Sequence, residues 1–165
     1  MFTVRFAEPG DVAAMAELLR EMDEFYGGTA TGPAGAKVHQ INSALFADPP
    51  LAYAMLARDG SSLAGMAAYS FLWPAALATK SLYLKELYVS TSCRGRGIGK
   101  LLMTHIFKVA TDNGCSRVEW TTDRENTAAQ RFYEQLGLTM LPAKLFYRAE
   151  GREVLSRLSL TQSDR

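Results

Sequence analysis

The chain has 165 residues, 48% of them hydrophobic and 21% charged. That suits a single domain over residues 1–165 with a full core, and excludes a disordered chain. A formal net charge of +1 argues against the basic footprint of a nucleic-acid partner. No apolar run is long enough to cross a bilayer, and the opening MFTVRFAEPGD carries acids too early for a secretory leader, so no membrane partner is expected.

Residues 2–6 alternate apolar and polar, as a half-buried strand does. Pro9 and Gly10 then break the chain, and Asp11 is placed to cap a helix. Val12, Met15, Leu18, Leu19 and Met22 recur at helical spacing and predict an amphipathic helix from about residue 12 to 25. Residues 26–36, rich in Gly, Thr, Ala and Pro, read as a loop. Residues 38–46 are expected to form a short helix, stopped by Asp48-Pro49-Pro50. Strands are expected at 51–57 and 63–73, with Arg58-Asp59-Gly60 as the hairpin signal between them. A loop at 74–79 leads to a third strand, 81–89, and then to a Gly-rich stretch. The next helix carries Ile98, Leu101, Leu102, His105, Ile106 and Val109 on its apolar side and stops near Asn113-Gly114. A strand at 116–122 follows, then a helix capped by Asn126 and ending near Leu136, with Gly137 just beyond. Short strands near 138–141 and 144–149 and a helix from 152 to 160 complete the chain. A strand meander followed by a βαβ unit implies an α/β (α+β) fold: a mixed sheet with helices on both faces.

Cys93 and Cys115 are too few for a disulfide framework and lack metal-ligand spacing, so they are expected to be free thiols in a reducing cytoplasm. The two histidines, His39 and His105, sit in no H-E-x-x-H pattern, and no C-x-x-C occurs, so no metal is expected. His105, Trp73 and Trp120 read as packing residues.

The strongest chemical signal is the segment Leu87-Tyr88-Val89-Ser90-Thr91-Ser92-Cys93-Arg94-Gly95-Arg96-Gly97-Ile98-Gly99-Lys100, which joins a strand to a helix. Its glycines let backbone N–H groups turn inward, and the helix start adds free N–H groups and a positive dipole end. Together these make an anion site, to which Arg94, Arg96 and Lys100 add charge. A P-loop is excluded, because its first glycine would fall at Arg94 and its Ser/Thr at Leu101. The dinucleotide fingerprint is excluded by the G-x-G-x-G spacing and by the loop's late place in the chain. What remains is R-x-x-G-x-G at Arg94, Gly97 and Gly99, against the plain alternative of a glycine turn into a surface helix.

This motif resembles the acetyl-CoA loop of the GNAT N-acetyltransferases. A second stretch, Asn126-Thr127-Ala128-Ala129-Gln130-Arg131-Phe132-Tyr133-Glu134-Gln135-Leu136-Gly137-Leu138, resembles their N-x-x-A-x-x-F/Y-Y-x-x-x-G-F pattern, with Leu138 in place of Phe. Asn126, Gln130 and Tyr133 fall on one side of that helix by spacing. Within the superfamily, Leu82-Tyr83-Leu84-Lys85-Glu86-Leu87-Tyr88-Val89 looks like the L-Y-L-E-D-hydrophobic-aromatic-V strand of the spermidine/spermine (diamine) acetyltransferases. Phe71-Leu72-Trp73-Pro74 echoes the loop before it.

The resemblance implies a mostly antiparallel sheet of six to seven strands and acetyl transfer from acetyl-CoA to an amine, with no metal. It implies cofactor contacts from Leu87, Tyr88, Val89, Arg94, Gly95, Arg96, Gly97, Ile98, Gly99, Lys100, Asn126 and Tyr133, with an oxyanion held by a strand N–H in 87–89. A simple alkylamine has a pKa of about 10.4, so only about one in a few thousand is neutral at pH 7 and a proton must be removed. By the resemblance, Tyr133 supplies a proton to the departing thiolate. The family's Glu position holds Lys85 here, and Glu86 matches the neighbouring Asp. A bulge in this strand would decide which of the two faces the site, and Glu86 reads equally as the base, acting through water, or as a structural carboxylate. Lys85 reads as a lure for an acidic substrate or as a sheet-lining residue. Glu21, Asp23 and Glu24, beside Phe25 and Tyr26, suit a cationic acceptor or simply a solvated helix end. Three readings stay open: a small-amine acetyltransferase, a non-catalytic acyl-CoA sensor, and a protein or peptide acetyltransferase. The family implies a homodimer. Leu145, Phe146, Val154, Leu155, Leu158 and Leu160 need cover, which a partner or a folded-back tail would give.

Overall fold

Gly60 and Ser61 reverse the chain between β2 (Tyr53–Asp59) and β3 (Ser62–Leu72), as the hairpin signal predicts. The computed structural model describes residues 1–28, 33 and 35–160, the side chains of Leu158 and Leu160 excepted. Residues 29–32 and 34, part of the expected 26–36 loop, lie outside the described residues. The chain falls into two compact units, Met1–Asp123 and Arg124–Arg165.

The first unit is built on a five-stranded sheet in the order β1-β2-β3-β4-β5. Its other strands are β1 (Phe2–Phe6), β4 (Lys80–Val89) and β5 (Cys115–Glu119). All pairings are antiparallel except β4 with β5, where the crossover helix α3 (Ile98–Asp112) makes the pair parallel. Helices α1 (Val12–Phe25) and α2 (Ala36–Leu45) cover one face. There Val12, Met15, Leu18 and Ile41 pack on Ala54, Leu56, Met66 and Tyr88. Helix α3 covers the other face with Ile98, Leu102, Met103 and Ile106, all fully buried. Gly65 permits this approach, because a Cβ there would stand 2.8 Å from the Tyr88 carbonyl oxygen and 3.4 Å from Ile98 Cγ2.

Asp11 departs from the expected role. It occupies the position before α1, but no side-chain cap bond forms there. Its carboxylate turns back instead, accepting from Arg5 Nη1 and Nη2 at 2.7 and 2.8 Å, Arg58 Nη1 at 3.0 Å and the Glu8 N–H at 2.9 Å. Two guanidiniums outbid the helix terminus for one buried acid, because charge-assisted bonds are the stronger ones. Trp73 also departs from expectation: it is 71% exposed, with its Nε1 donating to the Ala78 carbonyl at 2.9 Å.

The second unit holds α4 (Thr127–Gln135), an irregular stretch and α5 (Arg152–Leu160). The strands expected near 138–141 and 144–149 are not present, so among the described residues the sheet has five strands and not six to seven. An alternating apolar pattern permits a strand, but a ladder partner makes one. Leu145, Phe146 and Tyr147 are exposed, and Pro142, between the two expected strands, has no N–H to donate.

Candidate active site

Two geometric features of the first unit converge at the C-terminal end of β4. The β4–β5 ladder runs only from Lys80–Cys115 to Tyr83–Glu119. Residues 84–89 therefore extend past the last pair, leaving an open backbone edge among the described residues. This stretch contains Leu87, Tyr88 and Val89. Directly after it, the chain turns through residues 91–93 and the glycine loop into α3.

The loop is shaped as an anion cradle. Gly95 and Gly97 take φ of 74° and 81°, a region costly for any side chain. Gly97 is the residue before α3, and no side chain caps that terminus. The first intrahelical bond is donated by the Leu101 N–H to the Gly97 carbonyl at 3.0 Å. Among the described residues, the N–H groups of Ile98, Gly99 and Lys100 thus lie at the positive end of the helix without a backbone or capping partner. The donor set fits a pyrophosphate.

The side chains of the loop divide their tasks. Arg94 donates from Nε to the Val89 carbonyl at 3.2 Å and lies 4.0 Å over the Phe25 ring and 5.4 Å from that of Tyr88. Arg96 is engaged elsewhere, 3.0 Å from Asp59 and 4.5 Å over Phe2, so it ties the loop to the β2–β3 hairpin. The Ile98 side chain is a core plug, and only its N–H faces the cradle's task. Lys100 stands exposed on the first turn of α3.

A bulge in β4 places the carboxylate. Leu84 pairs with Tyr69 and Glu86 with Ala68, so Lys85 is the extra residue with no partner in β3. Cross-strand partners share a face, which puts Glu86 with Ala68, Tyr88 and Met66 on the α1–α2 side. Lys85 is exposed and Glu86 partly buried. Burial pushes the Glu86 carboxyl above the ordinary carboxylate range, with the Leu87 N–H and the Lys85 charge pulling the other way. Partial burial and then the Glu86 charge raise the Tyr26 phenol, which also feels Arg94 and Asp123.

The acidic patch at the end of α1 is already engaged, two of its acids by cations and the third by neutral donors. Asp23 pairs with Lys37, Glu24 with Arg20, and Glu21 accepts from Tyr88, Ser90 and Thr91. Sequence reasoning missed the Glu21 contacts. The only trace of them is the four-residue spacing from Glu21 to Phe25 on one helix face. His105 is a packing residue, its Nδ1 2.9 Å from the Leu101 carbonyl. Both cysteines are free thiols.

In the second unit, Asn126 caps α4 as expected, accepting from the Ala129 N–H at 3.1 Å. Tyr133 is partly buried, with its ring 5.1 Å from that of Phe132 in an edge contact. Among the described residues, no cluster of His, Cys, Asp or Glu is suited to a metal ion. Among the described residues, no helix is long and apolar enough to cross a membrane.

Residues 12–138 match the acetyltransferase (GNAT) family model. The chain belongs to this family of acyl-CoA N-acetyltransferases, which move an acetyl group to an amine. It is 25% identical over 142 residues to the thialysine N-epsilon-acetyltransferase of Sus scrofa, covering 81% of this chain and 82% of that protein. It is 36% identical over 75 residues to the L-ornithine N5-acetyltransferase NATA1 of Arabidopsis thaliana, but that match spans 46% of this chain and only 33% of the plant protein. Among solved structures, the V. cholerae integron cassette protein VCH_CASS6 superposes with a TM-score of 0.85 at 27% identity, covering 96% of this chain and 98% of that one. The fold is also that of AAC(6')-Iy, solved with the bisubstrate analogue CoA-S-monomethyl-acetylneamine, at a TM-score of 0.74 and 21% identity over 92% of this chain and 99% of that one.

Proposed function

We propose that the chain, as one acetyltransferase domain, uses acetyl-CoA to acetylate a primary amine of a small molecule of the diamine or diamino-acid type. The single observation that carries the cofactor reading is the uncapped start of α3, with Gly97 at φ 81° and three N–H groups free for a pyrophosphate. When bound, acetyl-CoA supplies a thioester carbonyl open to attack by an amine.

The chain's own residues then have separable tasks. The N–H groups of residues 98–100 and the Arg94 guanidinium hold the diphosphate, while Arg96 braces the loop. The open edge at residues 87–89 offers backbone donors to the acyl group and its developing oxyanion. Glu86 receives the amine proton, directly or through water; its carboxyl, raised by burial, is better matched to proton transfer near neutral pH than an ordinary one. Tyr133 donates to the departing thiolate, a role that rests on the resemblance of its helix to the family motif. Phenol at about 10 against thiol at about 8.5 leaves this uphill by roughly 2 kcal/mol in water, and a dry site narrows the gap. Asn126, which caps the same helix, is assigned to the cofactor side on the same ground.

The amine class is supported by relatives named for thialysine and ornithine, both of which carry two amines. The Glu86 and Tyr26 environment offers an acceptor one carboxylate and aromatic surface. Two free cysteines suit a reducing cytoplasm, and the exposed Met140, Leu141, Leu145, Phe146 and Tyr147 suit a homodimer. Thiol release from acetyl-CoA across a panel of polyamines, diamino acids, aminoglycosides and peptides tests the substrate class. Turnover confined to peptides would reject it.

A further inference from the structure

Glu21 lies in the last two turns of α1, far in sequence from the cofactor loop, yet it reaches the strand that feeds it. Its Oε1 accepts from the Thr91 N–H at 2.7 Å and the Tyr88 hydroxyl at 3.2 Å, and its Oε2 from Ser90 Oγ at 3.0 Å. Those three donors span the end of β4 and the start of the loop. One turn further along α1, the Phe25 ring lies 4.0 Å beneath the Arg94 guanidinium. Residues 21 and 25 share one helix face, so α1 grips the segment from Tyr88 to Arg94 at both ends.

The choice of a carboxylate is informative. A negative charge near a site for a polyanion opposes binding, and a neutral amide could tie a loop to a helix without that cost. Only an acid, however, can accept three bonds at once without presenting a donor of its own. The Tyr88 and Ser90 side chains are themselves buried, so the contact is fixed on both sides. The carboxyl is held below its ordinary range by the Thr91, Ser90 and Tyr88 donors, against the opposing effect of burial.

We propose that Glu21 is a positioning residue for the cofactor: its carboxylate locks residues 88–91 so that Arg94 and the start of α3 stand ready for the CoA diphosphate before it arrives. Preorganisation of this kind appears as affinity, because the bound loop no longer has to be ordered at the moment of binding. The inference rests on the cofactor reading above.

The test is calorimetric titration of CoA into the full chain and into three variants: Glu21→Gln, Thr91→Pro, and both together. Thr91→Pro removes the shortest of the three donors and sets its Cδ where the Glu21 carboxylate sits, so it displaces that carboxylate from the segment while leaving the backbone path open to proline. Thr91 opens a short 3-10 turn, and Ser90, at φ −48° and ψ 136°, already has the backbone that proline demands of its predecessor. Each single variant is expected to raise the Kd for CoA about tenfold, with the double variant no weaker than the weaker single one. The KM for acetyl-CoA should rise in step with Kd. Mere loss of folded protein would instead lower the number of sites and kcat while leaving KM in place. Wild-type affinity in both single variants, or deficits that add in full, would overturn the inference. Wild-type protein that fails to bind CoA would overturn the cofactor reading itself, and this inference with it.

Discussion

Glu86 stands opposite Ala68 in the β3–β4 ladder, while Leu84, two residues earlier, stands opposite Tyr69. The odd residue between them, Lys85, is expelled as a bulge, and the faces of β4 change step there. Without the bulge, Glu86 would share the α3 face with Leu84 and lie buried in the core. With it, the carboxylate joins Tyr88 on the α1–α2 side, beside the open strand edge.

Glu86→Gln is therefore expected to lower kcat by roughly 10²-fold while leaving the Kd for CoA in place. Steady-state kinetics set beside calorimetry separate the two. A fall in CoA affinity without a fall in kcat would remove the base assignment.

The direction of the Glu86 shift makes a second prediction. An acid whose folded pKa is raised by burial must lose its proton to act, so activity should fall as pH drops through a value above the ordinary carboxylate range. The same shift means that the charged form costs stability above that pKa and nothing below the unfolded value. Glu86→Gln should thus raise the melting temperature at pH 7. A pH–rate profile and thermal melts check both signs.

Asp11 carries the opposite shift, lowered chiefly by the Arg5 hydrogen bonds against the penalty of burial. Its contribution to stability is present above the unfolded carboxylate pKa and is lost as pH falls through the depressed folded one. Asp11→Asn should cost about 2 kcal/mol near neutral pH, a modest figure because Arg5 is 39% exposed and screened. The difference from wild type should shrink in acid, as read by urea unfolding at pH 7 and at pH 3.

Gly97→Ala places a methyl group on a backbone held at φ 81°, which costs about 1–2 kcal/mol. CoA affinity should fall by more than the melting temperature suggests, because any relaxation of Gly97 tilts the N–H groups that form the cradle. Unchanged CoA binding in a folded Gly97→Ala protein would contradict the cradle.

Most of the first unit was legible in the sequence. Periodicity placed α1 and the strands within a few residues, and Gly114 marked the end of α3, as Gly137 did that of α4 in the second unit. The loop from Arg94 to Lys100 was legible because its glycines and cations are contiguous. What the sequence could not reveal depends on pairing across the fold. The partners of Asp11 and Arg96 lie on other strands, Glu21 meets residues some seventy positions later, and Lys85 is a bulge only because Ala68 and Tyr69 are consecutive opposite it. The strands expected after Leu136 failed for the same reason, since an apolar pattern carries no record of its partner.

Every role assigned to this site serves transfer of an acetyl group from acetyl-CoA to a small amine. Thiol release measured with thialysine, ornithine and simple diamines, for wild-type protein and for Tyr133→Phe, tests it most directly. Turnover with at least one of these amines is expected in the wild type, with a loss of roughly 10²-fold in the variant. Tight CoA binding with no thiol release on any amine, or equal turnover in the two proteins, would contradict it.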